Sequence, residues 1–397
     1  MAKSNEKPNK IYLDYAASVS PNPSSIHAFG LSAHTKLDKA RKDVASILGS
    51  RAEEIIFTSG GTESNNLAIQ GAIYTVKNFL PHIITTNIEH PSVLETCKLL
   101  EKRKLAQISI VPVEANGIVD PKKIKKELRK NTVLVSIMYV NNEIGTIQPI
   151  KEIGKIIRHY KKGKESFFPF FHTDAVQAVN YLDLSVEKLG VDMLSLSGSK
   201  IEGAGRVGVL YKKKSVVLEN VFGGGDQEGG LRPGTENLPE IVKFSSALQE
   251  AQKIKEKEVK RLTRLQDYFF TSLASNFLSL RPKAGLSGSK KLKQATFIIN
   301  GSSENRLPNN INITFLKIPS DLLVIELSVK GIMVSSKSAC KSSHAEDSYV
   351  IEALRPNSDP EIGGVRFSLG RDTTKKYIDY TIKALSEILQ KLKKWYD

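Results

Sequence analysis

An alternation of short apolar runs with amphipathic or polar stretches, over residues 55–211, constrains the fold of this chain more than any other feature. The apolar runs lie at residues 55–57, 83–86, 108–113, 133–140, 167–171, 193–196 and 207–211. Apolar strands that alternate with helices form a mostly parallel sheet covered by helices on its faces. We therefore predict a large, mostly parallel α/β domain over residues 14–255.

The pattern changes beyond about residue 250. A lysine-rich helix runs through residues 262–277, a strand is predicted near 311–315, and a closing helix covers 374–395. A chain of 397 residues is also longer than one hydrophobic core usually supports. We predict a smaller α+β domain from residues 1–13 and 256–397, with exposed loops at 287–290 and 301–303.

Composition indicates an ordinary globular protein, with 40% hydrophobic and 25% charged residues. The longest apolar runs, such as 133–140, are far shorter than the roughly 20 residues that cross a bilayer. The first ten residues, MAKSNEKPNK, are charged and lack the apolar centre of a secretory signal. We predict a cytoplasmic protein without membrane contact.

The net charge of +16 would suit an RNA, an acidic protein partner or an anionic cofactor. The lysines are scattered over helical stretches such as 122–130 and 253–260, which is typical of solvated helix faces. We therefore predict no direct nucleic-acid binding. A non-catalytic, basic nucleic-acid-binding protein remains the alternative from a different functional class.

The segment FTSGGTESNN at residues 57–66 leaves a predicted strand, turns on Gly60 and Gly61, and enters a helix at Leu67. Such a turn directs backbone N–H groups and a hydroxyl toward an anion. Taken alone, the same letters also describe an ordinary turn followed by a helix N-cap.

A carboxylate and an amide, Asp174 and Gln177, follow another apolar run, and Lys200 comes 26 residues after Asp174 within SGSK. A pyridine cofactor needs an acid that keeps its ring nitrogen protonated and a lysine amine that binds it covalently. Separately, an Asp after a strand is commonly a helix cap and a Lys in a serine-rich loop is commonly solvated. Together with the anion-binding turn, they favour a functional site over these separate structural roles.

The chain resembles the NifS/IscS-type cysteine desulfurases over about residues 11–389. The motifs that carry the resemblance are, in order, SGGTESNN, IEHPSV, VNNEIG, HTDAVQ, SGSK, GGGDQEGGLRPGTEN, SSKSACKS and VRFSLGR. The resemblance implies the aspartate aminotransferase type of fold (fold type I, dependent on pyridoxal 5'-phosphate, PLP). It also implies a homodimer in which both subunits contribute to each active site.

Roles follow from the resemblance motif by motif. Lys200 would carry PLP and move protons at the substrate Cα and at C4' of the cofactor. Asp174 would pair with the pyridinium nitrogen, and Gln177 would hydrogen-bond the phenolic oxygen. His90 would lie on the ring face and assist proton transfer; the structural alternative is a histidine at a helix N-terminus before Pro91.

The phosphate would be held by small and hydroxyl residues: Gly61, Thr62, Ser197 and Ser199. Thr235 would reach the phosphate in the neighbouring subunit. The family usually has a histidine where this chain has Ser199, but a serine hydroxyl can still bind a phosphate.

The resemblance assigns Asn142 and Arg366 to the substrate carboxylate, with Arg366 providing a bidentate fork. Asn142 would also contact the cofactor. The alternative for Arg366 is a structural ion pair.

The catalytic cysteine would be Cys340, in the small polar run SSKSACKSS. A polar setting with lysines on both sides favours the thiolate form of a cysteine. Lys337 stands where many family members have glycine. The second cysteine, Cys97, lies among apolar residues in a predicted helix and is interpreted as packing, and two cysteines cannot supply a disulfide framework.

The implied activity converts L-cysteine to L-alanine and passes sulfur through a Cys340 persulfide to an acceptor protein, such as an iron-sulfur scaffold or a tRNA-thiolation enzyme. The departures at Ser199 and Lys337 keep two alternatives on the same scaffold open, a selenocysteine lyase and a small-amino-acid aminotransferase. We predict no metal site.

Overall fold

A computed structural model describes residues 11–277, 297–336, 348–356 and 363–396. The helices are α1 Ala28–Leu48, α2 Gly61–Tyr74, α3 Pro91–Lys102, α4 Pro121–Glu127, α5 Ile150–Lys164, α6 Val186–Leu189, α7 Leu238–Phe277, α8 Ser320–Val329, α9 Tyr349–Leu354 and α10 Lys375–Tyr396. The strands are β1 Ile55–Thr58, β2 His82–Thr86, β3 Gln107–Val111, β4 Thr132–Ser136, β5 Phe170–Asp174, β6 Met193–Ser197, β7 Gly208–Lys212, β8 Phe297–Ile299, β9 Asn310–Phe315 and β10 Val365–Ser368. Across these residues we find no helix with the length and apolar character to traverse a bilayer.

The larger sheet has the strand order β1-β7-β6-β5-β4-β2-β3. Neighbours from β3 to β6 run parallel, whereas β7 pairs antiparallel with both β6 and β1. Every residue of β2, β4, β5 and β6 is buried, as expected for strands that helices cover on both faces. The predicted α/β architecture with a mostly parallel sheet is confirmed.

Two apolar runs extend beyond the strands that they predicted. The run at 133–140 contributes only β4, Thr132–Ser136, because the chain then leaves the sheet and crosses its carboxyl edge. The run at 167–171 precedes and overlaps β5, which begins at Phe170 and ends at Asp174. In both cases the residues after the strand are the ones that reach the pocket described below.

The smaller sheet has the order β10-β9-β8 and is antiparallel throughout. Its apolar face packs with α8 and α10 in a second hydrophobic cluster, separate from the one beneath the larger sheet. Helix α7 joins the two: Phe244 and Leu248 lie in the first cluster, and Leu262 and Phe269 lie in the second.

Helix α7 is longer than the predicted lysine-rich helix and spans 40 residues. No glycine occurs along it, and its one proline, Pro239, stands in the first turn, where proline is tolerated. The predicted domain division between residues 255 and 256 falls inside this continuous helix. That division stays a prediction.

We predicted an exposed loop at residues 301–303, and this prediction is wrong for the central residue. Ser302 is buried, and its backbone N–H donates to Thr146 Oγ1 at 3.0 Å. Its carbonyl accepts from Arg306 Nε at 2.9 Å. The turn packs over the loop after β4 because these polar groups satisfy its backbone. The other predicted loop, 287–290, lies outside the described residues.

Candidate active site

The carboxyl ends of β1, β2, β4, β5 and β6 meet around a pocket of about 260 Å³. In parallel α/β sheets this edge is where ligands bind, because the loops that follow the strands converge there. The structure brings ten predicted residues together in the wall of this pocket: Gly61, Thr62, His90, Asn142, Asp174, Gln177, Ser197, Ser199, Lys200 and Arg366. Arg366 is the contribution of the smaller sheet, from β10.

Two predicted residues are not in this wall. Thr235 is described, exposed and outside the pocket. Cys340 lies outside the described residues, as does Lys337.

Asp174 ends β5 with its carboxylate held from two sides. Asn65 Nδ2 donates to Oδ2 at 2.7 Å, and the backbone N–H of Val176 donates to Oδ1 at 3.0 Å. Asp174 therefore stabilises the turn, as the capping alternative requires, and also lines the pocket as a buried carboxylate. Asn65 was within the anion-turn motif, but its bond to Asp174 was not predicted.

His90 is likewise both structural and part of the pocket. It is the N-cap of α3, where Nδ1 accepts from the Ser92 backbone N–H at 3.1 Å. Burial lowers its pKa, the negative charge of Asp174 opposes that shift, and Lys200 adds to it. A neutral imidazole that accepts at Nδ1 carries its proton on Nε2, so it can exchange a proton at that atom.

Ser92 and Asn65 extend this polar network. The Ser92 hydroxyl lies 2.8 Å from His90 Nδ1 and accepts from Asn65 Nδ2 at 2.8 Å. One hydrogen-bonded series thus runs from His90 through Ser92 and Asn65 to Asp174. The sequence did not predict this hydrogen-bonded series, although Ser92 belongs to the motif IEHPSV.

The start of α2 forms a close-packed cradle. A side chain at Gly61 would place its Cβ 2.8 Å from Val176 Cγ2, so this turn requires glycine. The hydroxyl oxygens of Ser197 and Ser199 lie 3.0 Å apart on the opposite side. Free backbone N–H groups at a helix N-terminus, together with hydroxyl donors, suit a phosphate group.

Lys200 ends the short 3-10 turn Gly198–Lys200 that follows β6. Its carbonyl accepts from Asn180 Nδ2 at 2.6 Å, which holds the backbone while the side chain is exposed toward the pocket opening. The amine is thus presented on a fixed backbone.

Arg366 and Asn142 meet at the far side of the pocket. Arg366 Nη1 donates to the Asn142 carbonyl at 2.8 Å, which fixes the guanidinium. Burial lowers the Arg366 pKa, and the charge of Glu143 partly restores it. Arg366 Nε and Asn142 Oδ1 are buried and have no hydrogen-bond partner within the described ranges.

Buried polar atoms without partners are uncommon, so their presence here points to a ligand. The pocket offers a carboxylate for a pyridinium, a glycine cradle with hydroxyls for a phosphate, and an amine in the Lys200 side chain. A pyridine aldehyde phosphate such as PLP carries the groups that match them. The residues present therefore fit the predicted cofactor.

A larger cavity of about 890 Å³ lies beside α1, lined in part by Arg41 and Glu228. Those two charges pair with each other through bonds of 2.7 and 2.8 Å, so we assign this cavity no ligand. Within the part of the chain that the structure describes, no cluster of His, Cys, Asp or Glu is arranged to hold a metal ion.

Comparison with known proteins agrees with this geometry. The aminotransferase class-V family model matches residues 5–381. The cysteine desulfurase IscS of Dictyoglomus turgidum is 40% identical over 97% of this chain and 95% of its own length. A solved NifS-like protein is 34% identical with a TM-score of 0.81, covering 94% of this chain and 92% of that one. SspA, solved in complex with cysteine, is 32% identical with a TM-score of 0.70, covering 88% and 90%.

Proposed function

The chain belongs to the aminotransferase class-V family, and we propose that it is a PLP-dependent cysteine desulfurase. It converts L-cysteine to L-alanine and passes the sulfur, as a cysteine persulfide, to an acceptor. The observation that carries the proposal is the convergence of Asp174, His90, Lys200 and Arg366 on one pocket. The similarity to the IscS protein of Dictyoglomus turgidum and to SspA with bound cysteine supports the choice of substrate.

Bound PLP supplies an electron sink that stabilises negative charge at the substrate Cα. Asp174 would hold a proton on the ring nitrogen, and its two hydrogen bonds from Asn65 and Val176 orient the carboxylate. Gly61, Thr62, Ser197 and Ser199 bind the phosphate, and Gln177 binds the phenolic oxygen.

Arg366 and Asn142 orient the substrate through its carboxylate. Arg366 and Asn142 line the pocket, where Arg366 Nε and Asn142 Oδ1 are buried without partners. A substrate carboxylate would accept from the guanidinium, whereas Asn142 Oδ1 would accept from a donor group of the amino acid. The Lys200 amine would carry the cofactor and would take up the proton lost from the substrate Cα. His90 exchanges protons through Nε2.

Cys340 receives the sulfur. Its thiolate forms a bond to the substrate sulfur while the Cβ–S bond breaks; the electron pair stays with carbon, which becomes the methyl group of L-alanine after protonation. Ser335 stands five residues before Cys340 in the sequence, and its backbone pairs with that of Arg366.

A second subunit completes the site. Thr235 is exposed and outside the pocket of its own chain, in keeping with a contact to the phosphate in a partner subunit. Large apolar side chains near the start of the described chain, including Leu13 and Ile26, are also exposed and available to a partner. The sulfur acceptor is a protein of iron-sulfur assembly or of tRNA thiolation.

The test is incubation of the PLP-loaded enzyme with L-cysteine and a reductant, with sulfide and alanine measured together. The two products should form in equal amounts. Cys340→Ser should keep cofactor binding but lose both products, because a serine hydroxyl is a poor nucleophile toward sulfur. Cys97→Ser is the matched control and should retain turnover. Normal alanine production by Cys340→Ser would refute the role of that thiol.

A further inference from the structure

Two short attachments hold the chain on either side of residues 337–347, the segment that contains Cys340. On one side, the Ser335 backbone N–H donates to the Arg366 carbonyl at 3.2 Å and its carbonyl accepts from Arg366 at 2.7 Å. On the other side, Ser348 is buried and begins α9. Both attachments therefore end next to the substrate pocket.

Ser348 makes two hydrogen bonds with different functions. Its hydroxyl accepts from the Ile351 backbone N–H at 3.2 Å, which caps α9. The same hydroxyl donates to Glu143 Oε2 at 2.5 Å. The first bond would occur at any serine-capped helix, whereas the second joins residues 205 positions apart.

Glu143 is a buried carboxylate whose backbone is fixed on both sides. Its N–H donates to Asn141 Oδ1 at 2.8 Å, and its carbonyl accepts from Asn310 and Asn312 Nδ2, each at 3.0 Å. The preceding residue, Asn142, accepts from Arg366 through its carbonyl. The Ser348 hydroxyl is thus tied to a rigid backbone one residue from the predicted substrate amide.

Helix α9 itself packs under the larger sheet. Val350, Ile351 and Leu354 belong to the first hydrophobic cluster, and the Tyr349 hydroxyl donates to the Glu89 carbonyl at 2.6 Å, beside His90. Apolar burial holds the helix in place, but it is non-directional. The bond from Ser348 to Glu143 fixes the direction from which the chain enters the helix.

We propose that Glu143 and Ser348 form a positioning pair that sets the point from which the Cys340 segment departs relative to Asn142 and Arg366. This inference rests on the proposed desulfurase function. Sulfur transfer requires the thiol at a reacting distance from the substrate, and a misplacement of 1 Å can cost about a hundredfold in rate. Neither residue lines the pocket, so the pair acts by positioning Cys340 and not by binding substrate.

Three substitutions at Ser348 separate positioning from capping. Ser348→Ala removes both hydrogen bonds, Ser348→Asp keeps a good cap but repels Glu143, and Ser348→Thr keeps both functions. Ser185→Ala is the matched control, because Ser185 caps α6 through Lys188 and does not line the pocket. At Glu143, the other member of the pair, Glu143→Gln retains an oxygen that can accept from the Ser348 hydroxyl, whereas Glu143→Ala does not.

The experiment measures single-turnover persulfide formation on Cys340 of PLP-loaded enzyme by mass spectrometry, and L-cysteine binding by the cofactor absorbance. We expect the persulfide rate to fall by about ten- to a hundredfold in Ser348→Ala, Ser348→Asp and Glu143→Ala. In Ser348→Ala the half-saturating L-cysteine concentration should change by less than about twofold, because Glu143 and its charge beside Arg366 are kept. Ser348→Thr, Glu143→Gln and Ser185→Ala should stay within about threefold of the parent rate.

A parent-like persulfide rate in Ser348→Asp, or a loss of L-cysteine binding parallel to the loss of rate, would overturn the positioning pair. If Ser348→Ala fails to fold, Glu143→Ala still decides, because it removes the bond to Glu143 and leaves the cap that Ser348 makes with Ile351. Absence of persulfide on Cys340 in the parent enzyme would overturn the proposed function and this inference together. If the parent enzyme forms the persulfide and the Ser348 variants form it at the parent rate, the positioning pair is overturned and the proposed function stands.

Discussion

The interior of the larger sheet contains two buried histidines and its carboxyl edge a half-buried one, His90, and the hydrogen bonding of the two regions differs. Inside the sheet, His172 Nδ1 lies 2.9 Å from Ser136 Oγ and Nε2 lies 2.9 Å from Ser195 Oγ. His82 is bonded at both ring nitrogens in the same way, by Thr132 and Ser109. Each imidazole bridges neighbouring strands, so its polar atoms are fully used by the fold.

At the carboxyl edge the polar network is left open. Asn65 Oδ1, Asn142 Oδ1 and Arg366 Nε are buried without partners among the residues described. A buried polar group without a partner costs about 1–3 kcal/mol. Thr85 Oγ1 in β2 is also buried without a partner, but it stands outside the pocket. The comparison teaches that several such atoms gathered in one pocket, rather than a single one or the burial of polar residues, mark the ligand site.

Burial alone also fails to mark function in the acid-base chemistry. It lowers the pKa of His172 to about 3 and that of His82 to about 4, although neither lines the pocket. At His90 the same burial is opposed by the charge of Asp174. The charges that shift the His90 pKa belong to Asp174 and Lys200 in the pocket wall, whereas those that act on His82 belong to Arg129 and Glu127 outside it.

The largest effect is expected at the open edge, from Lys200→Ala. Removal of the amine should abolish the borohydride-reducible attachment of PLP and lower turnover by roughly four orders of magnitude. Mass spectrometry after reduction measures the attachment. Retention of a reducible adduct would show that another lysine carries the cofactor. Lys212→Ala, a lysine outside this pocket, serves as the control.

Asp174→Asn should have the next largest effect on turnover. An amide is nearly isosteric and can keep a hydrogen bond to Asn65, but it cannot hold the pyridinium proton. PLP binding should persist while kcat falls by about a hundredfold or more. Steady-state kinetics with L-cysteine and a PLP titration separate the two effects. An unchanged kcat would reduce Asp174 to the turn-stabilising role seen in its bond to Val176.

Arg366→Lys should raise KM more than it lowers kcat. Lysine keeps the charge but loses the fork and the bond that Nη1 makes to the Asn142 carbonyl. We expect KM for L-cysteine to rise by about ten- to a hundredfold. An unchanged KM would favour the alternative of a structural arginine.

The sequence anticipated those features that are local along the chain. Alternating apolar runs predicted the sheet, and the motifs that contain Asp174 and Lys200 predicted the cofactor site. The structure brings these motifs together because the carboxyl ends of parallel strands share one edge. The fold, the family and a PLP-dependent cysteine desulfurase are confirmed by the comparisons. The individual residue roles and the domain division stay predictions.

Contacts between distant elements could not be anticipated in this way. Asn65 and Asp174 are separated by 109 positions, and Glu143 and Ser348 by 205. A pattern of apolar and polar letters specifies an element and its buried face, but not which buried side chain of another element will meet it. Glu143 in particular resembles a solvated residue in the sequence, yet it is buried and hydrogen-bonded.

His172→Phe tests the closed network of the sheet. It should leave the hydroxyls of Ser136 and Ser195 without their shared partner and lower the free energy of unfolding by about 1–3 kcal/mol at pH 7. Turnover per folded molecule should be unchanged. Chemical denaturation and steady-state kinetics measure the two quantities. A specific loss of kcat would make the closed network part of the site.

The same histidine predicts a pH dependence. The His172 pKa falls from 6.5 to about 3 on folding, because burial disfavours the charged ring. Its contribution to stability is therefore complete above pH 6.5 and is lost as the pH falls toward 3, by at most about 1.4 kcal/mol for each pH unit. His172→Phe should lack this slope, whereas the exposed control His159→Gln should keep it. Equal slopes in both variants would mean that His172 is solvated.

The smallest effect is expected for Cys97→Ser, which tests whether the closed interior also keeps a thiol inert. Cys97 is fully buried in α3, and burial raises its pKa to about 12. A protonated, inaccessible thiol should resist iodoacetamide at pH 8, so native protein should be alkylated at Cys340 and not at Cys97. Because serine has nearly the same volume, its hydroxyl should lower stability by only about 1–2 kcal/mol and leave turnover near normal. Alkylation of Cys97 in the folded enzyme, or a large loss of turnover in Cys97→Ser, would show that the interior opens on the time scale of the reaction. The distinction between a closed structural network and an open site would then fail at this position.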